Sequence, residues 1–141
     1  MSQNNLNEIK RWPILLSVIS ALVINGASGA QETIVNNLMA SWPGEGKLFG
    51  SDSEFNMNWE WTLDKKFVRL TFQNKVTKAE AFYQATGAKE YIGTWFDSRD
   101  MILSLKAGVE DSALVTLWGS PETEQGRTIY RLMDANKLIL F

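Results

Sequence analysis

The chain has 141 residues, 45% apolar and 21% charged, enough for one globular domain and far from the composition of disordered chains. Its formal charge is −2 with no basic stripe, so nucleic acid is not expected as a partner. It contains no cysteine and no histidine, which removes disulfides, thiolate nucleophiles, the usual general base and the commonest haem and transition-metal ligands.

The first thirty residues have three parts. A polar start carries Lys10 and Arg11, an apolar run follows over residues 13–24, and residues 25–30 are small, with Ser28 and Ala30 placed as before a cleavage site. This layout predicts a signal peptide over 1–30 and export to the periplasm or the medium. The apolar run, about a dozen residues, is short of the roughly 20 that span a bilayer, so membrane attachment is expected only through an uncleaved leader.

From residue 31 to residue 141 the chain reads as a single domain. Residues 31–42 place Ile34, Val35, Leu38 and Met39 at helical spacing, and Pro43-Gly44-Glu45-Gly46 reads as the turn that stops this short helix, with a first strand starting at Lys47. Next comes a strand with Phe55, Met57, Trp59, Trp61 and Leu63 on one face and Glu54, Asn56, Asn58, Glu60 and Thr62 on the other. Residues 67–76 alternate Val68, Leu70 and Phe72 with Arg69, Thr71 and Gln73, and 79–85 form another strand. Residues 91–96 and 101–106 make a hairpin around the charged turn Asp97-Ser98-Arg99-Asp100. Strands over 113–119, 127–133 and 137–141 complete the series. Eight or nine short strands joined in order by tight turns predict an all-β, up-and-down antiparallel barrel, since closure removes exposed sheet edges.

The residues Ser41-Trp42-x-Gly44-x-Gly46, Trp59-Glu60-Trp61, Phe67-x-Arg69-x-Thr71-Phe72, Gly93-Thr94-Trp95-Phe96-Asp97-Ser98-Arg99 and Leu117-Trp118-Gly119-Ser120-Pro121-Glu122-Thr123-Glu124 carry a resemblance. From about Trp42 onward, they resemble a bacterial family of uncharacterised lipocalin-like (calycin-like) barrel proteins. The resemblance implies a meandering barrel near ten strands and no agreed activity. Members of that family usually continue past the position of Phe141, which implies either a truncated barrel with an unpaired C-terminal edge beside the first strand or a barrel that closes with fewer strands. The more distant nitrobindin-like barrels ligate haem through a histidine, which this chain lacks.

Candidate ligand-binding residues are Trp59, Trp61 and Trp95 on inward faces, Trp118 as a further candidate for that face, Tyr83 and Tyr130 with hydroxyls that either enter the lumen or point outward from packed rings, and Arg69. The rings either fill the core or wall a site for a small hydrophobic or amphipathic molecule. Arg69 either pairs with Glu60 across strands in solvent or anchors a ligand from inside. Asp97, Arg99 and Asp100 read as turn residues, and Glu122 and Glu124 as solvated loop charges. No metal site, cofactor or catalytic residue is expected. Two rival readings stand: a chain that pairs through its open edge, as a dimer rather than a monomer, and an enzyme using Glu60, Arg69 and Tyr83.

Overall fold

A computed structural model describes residues 7–10, 31–48, 51–134 and 137–140. Their elements are β1 (Asn7–Lys10), α1 (Gln31–Leu38), β2 (Ser41–Leu48), β3 (Ser51–Thr62), β4 (Phe67–Asn74), β5 (Lys78–Ala85), β6 (Glu90–Asp97), β7 (Ile102–Glu110), β8 (Ala113–Gly119), β9 (Gln125–Asp134) and β10 (Lys137–Leu140). From β2 to β10 each strand pairs antiparallel with the next, and β1 lies between β10 and β2, so the sheet is an up-and-down barrel.

The period of two predicted along each strand sorts inside from outside. Phe55, Met57 and Trp59, Val68 and Leu70, Ala79, Ala81 and Tyr83, and Leu103, Leu105 and Ala107 are all buried, while their polar neighbours face out. Leu63 departs from this set. It begins a turn whose residues Leu63, Asp64 and Lys65 all have positive φ, and it lies exposed.

The strands therefore define a barrel with two different ends. At the end where β3 finishes and β4 begins, α1 acts as a plug: Ile34, Val35 and Leu38 join Trp42 and Trp59 in one apolar core. The Trp42 indole donates to the carbonyl of Leu38 at 2.9 Å, and the Asn36 side chain accepts from the Trp61 indole at 2.9 Å. The first bond satisfies a carbonyl that the end of a helix leaves without a partner, and it sets where α1 stops.

Several boundaries differ from the sequence-based expectation, among them β7, which runs on to Glu110, beyond the strand expected over 101–106. The helix ends at Leu38 instead of Trp42, and the turn expected at Pro43–Gly46 is strand, because β2 runs through it paired with β3 from Ser41↔Asn58 to Leu48↔Ser51. Among the described residues the other side of β2 has one pairing with β1, Ile9↔Gly44, and a strand so sparsely paired on one side tolerates Pro43. The C-terminal strand is not an open edge: β10 pairs with β9 on one side and with β1 on the other. β1 itself lies within the predicted leader and has one apolar residue in four, too few to show a strand pattern. The apolar run and the small-residue stretch of that leader lie outside the described residues.

Candidate functional site

Opposite the helical plug the lumen holds a cavity of about 240 Å³. Its deep end is bounded by Tyr83, Thr116 and Tyr130, and its walls by Leu70, Phe72, Trp95, Leu103, Leu105 and Trp118. Its mouth is formed by Asn74, Thr77, Arg99, Glu124 and Thr128. These mouth residues come from or beside the turns after β4, β6 and β8, so the hairpin ends of three successive strand pairs shape the opening.

Beneath the deep end, Trp59 stacks on Tyr83 at a centroid distance of 5.8 Å and meets Tyr130 edge-on at 5.0 Å. Such ring pairs add stabilisation beyond their buried area. The Tyr83 hydroxyl lies 3.4 Å from Thr116 Oγ1, with Tyr130 as a further hydroxyl neighbour. Burial pushes the Tyr83 phenol up to about 12 and the Tyr130 phenol well above its ordinary range. Both are therefore neutral hydroxyls at any physiological pH. The Trp59 indole N–H is buried with no hydrogen-bond partner among the described residues.

The mouth is ionic. Arg99 Nη2 donates to Asp97 Oδ2 at 2.6 Å and to Glu124 Oε1 at 2.7 Å, while Arg99 Nε sits 3.2 Å from both Asp97 oxygens. The Asp97 carboxylate also accepts from the Trp95 indole at 2.9 Å and from the Arg99 backbone N–H at 2.8 Å. Its side chain is wholly covered. Desolvation opposes charge at Asp97, but the hydrogen bonds from Arg99 and Trp95 outweigh it and pull the carboxyl down to about 2. Hydrogen bonds to Asp97 and Glu124 raise the Arg99 guanidinium further above its usual value. Asp97 thus fixes two things together, the plane of the Trp95 ring on the cavity wall and the reach of Arg99 across the mouth.

Two glycines make the wall possible. A Cβ at Gly93 would lie 2.3 Å from the carbonyl oxygen of Phe82, and one at Gly126 would lie 2.3 Å from Trp118 Cζ2. Real atoms do not approach so closely. Gly93 lets β6 press against β5 between Tyr91 and Trp95, and Gly126 lets the Trp118 indole lie flat across β9 with its N–H donating to Thr128 Oγ1 at 3.2 Å.

Of the seven candidate residues, Tyr83, Trp95, Trp118 and Tyr130 line the cavity. Trp59 supports its deep end from below without lining it. Trp61 is at the plugged end, bonded to Asn36. Arg69 is on the outer face, out of phase with the buried Val68 and Leu70, where it bridges Glu60 at 3.1 Å and Glu80 on the next strand. The barrel wall consequently separates Glu60 and Arg69 from Tyr83, and a lumenal site built from those three is ruled out by strand alternation. The solvent-facing Glu60–Arg69 pairing is the arrangement observed.

Arg99 and Glu124 are the members of the mouth that sequence reasoning read as turn and loop charges. Both do occupy such positions, and nothing local distinguishes them from ordinary polar turn residues. Phe72, stacked on Phe55 at 5.7 Å and near Trp95 at 6.1 Å, was legible as inward-facing from its alternation with Thr71 and Gln73. Comparison with family models, curated proteins and solved structures finds no match.

Proposed function

We propose that this protein is an exported binding barrel whose lumen holds a small apolar or amphipathic molecule. The cavity carries this reading: about 240 Å³ between Phe72, Trp95, Leu103 and Tyr130, with its charged groups gathered at one end. Ligand pockets commonly measure roughly 300–1,000 Å³, so the occupant is a compact one, a single ring or a short chain, and not a sterol or a tetrapyrrole. The resemblance of the Gly93–Arg99 and Leu117–Glu124 segments to lipocalin-like barrels supports the same reading, and the three-part leader supports export.

Titration of the protein with benzene- and indole-sized compounds, alongside fatty acids and sterols, tests the binding. With Trp95 and Trp118 on the wall, a saturable change in tryptophan fluorescence is expected from the small ring compounds. A flat response across the whole panel removes the reading. Export is tested separately, by fusing residues 1–30 to a reporter and locating it; a reporter kept in the cytoplasm removes that part.

A further inference from the structure

The mouth of the lumen is lined by polar and charged side chains. Among the described residues, each side-chain nitrogen donor at the mouth or on the wall beside it has a protein acceptor. The Trp95 indole is held by Asp97, the Trp118 indole by Thr128, and the Asn74 amide by Ser53 Oγ at 3.3 Å. The Arg99 guanidinium is shared by Asp97 and Glu124 through Nε, Nη1 and Nη2. Arg99 is therefore not an open anchor for an acidic ligand, although a lone arginine at the mouth of an apolar pocket invites that reading.

The charge count points the same way. Within the ion cluster beside the opening, Arg99 brings one positive charge against the two negative charges of Asp97 and Glu124, so the cluster of three is net negative. Asp97 is covered and its oxygens are engaged by Trp95 and Arg99, whereas the Glu124 side chain keeps 36% of its surface exposed. A carboxylate accepts about four hydrogen bonds, and the bonds to Arg99 leave Glu124 with unused capacity facing the opening. Below it the walls are rings and aliphatic chains, so a ligand has one end to place against Glu124 and an apolar body to bury.

Resting on the binding role proposed above, we propose that the lumen selects a small cationic amphiphile, a primary amine on an aromatic or short aliphatic body, with Glu124 receiving the ammonium group. A ligand carboxylate in the same pose would be a third anion beside Asp97 and Glu124, or would have to displace Glu124 from Arg99.

Calorimetric titration of the full chain with phenethylamine, phenethyl alcohol and hydrocinnamate tests this, because the three share one hydrocarbon body. The amine is expected to bind at least about tenfold more tightly than the carboxylate, with the alcohol between them, as one charge contact at a partly covered site allows. Glu124→Gln is expected to remove most of that ratio while leaving the alcohol's affinity within about twofold, since the change deletes charge and keeps shape. Hydrocinnamate binding best, amine and alcohol binding equally, or an unchanged amine-to-carboxylate ratio in Glu124→Gln would each overturn the amine assignment and leave the binding role standing. No heat from any of the three, together with no response in the wider panel, would overturn both. A Glu124→Gln protein that fails to fold is replaced by Glu124→Asp, which keeps the charge but shortens its reach, and there the amine is expected to weaken more than the alcohol.

Discussion

Arg99 and Glu124 lie 25 residues apart in sequence and 2.7 Å apart in space, one in the turn after β6 and the other in the loop before β9. Between them the chain runs up β7 and down β8, so their contact forms only when both hairpins have closed in register. The pair ties two loops together across the opening of the lumen, and Asp97 holds Arg99 in place from behind.

Because the folded Asp97 carboxyl sits near 2, below its ordinary unfolded value of about 3.9, its contribution to stability is present above pH 4 and is lost as pH falls toward 2. Acid unfolding followed by tryptophan fluorescence is expected to steepen in that window. Asp97→Asn is expected to flatten it and to loosen Trp95, visible as a change in emission even at neutral pH. An unaltered acid profile in the variant would contradict the role assigned to Asp97.

The phenols of Tyr83 and Tyr130 give the opposite sign. Their folded pKa is raised, so the stability linked to them is complete below the unfolded value of about 10 and disappears as pH rises through about 12 for Tyr83. Tyrosinate absorbance is expected to lag behind that of free tyrosine and to appear together with alkaline unfolding. Ionisation of all three tyrosines at their ordinary pH in the still-folded protein would show that the cluster is open to water.

Trp59 is 2% exposed and touches both of those rings. Trp59→Ala is expected to cost about 3–5 kcal/mol, the usual range for deleting a buried large ring, measured as a fall in the denaturant midpoint. Arg69→Gln, by contrast, is expected to cost less than about 1 kcal/mol and to leave ligand binding unchanged, because its ion pairs with Glu60 and Glu80 are half-exposed on the outer face.

Gly93→Ala and Gly126→Ala both insert one methyl group, but into different surroundings. At Gly93 the obstacle is the backbone of Phe82 and Tyr83, which must move; at Gly126 it is the Trp118 ring, which can swing into the cavity. Overpacking of this kind costs roughly 1–3 kcal/mol, and Gly93→Ala is expected at the upper end. Gly126→Ala is expected to keep more stability and to lose ligand affinity, a split that stability and binding assays on the same sample resolve.

Removal of residues 1–30, as export would do, takes away β1 and leaves β10 and β2 without the strand between them. An unpaired strand edge is a template for another chain. Light scattering is expected to show more self-association for residues 31–141 than for the full chain. Equal behaviour would mean that β2 and β10 close the seam by themselves.

Alternation along β3, β4 and β7 was sufficient by itself to assign the fold class and the inward faces, because in a strand the face is a local property that repeats every two residues. The same alternation placed Trp59, Trp61 and Trp95 inward, and left the direction of the Tyr83 and Tyr130 hydroxyls open. Only the tertiary structure decided which of the inward rings meet a cavity, that α1 plugs the end where Trp61 lies, that Arg69 stays outside with Glu60 and Glu80, and that β1 fills the place beside β10. Those outcomes depend on strand registers summed around a closed sheet and on which turns share an end, and no short window of residues contains them. Arg99 illustrates the division: as a turn residue it was legible from Asp97-Ser98-Arg99-Asp100, but its place over the lumen follows from the two strands that carry the chain back to Glu124.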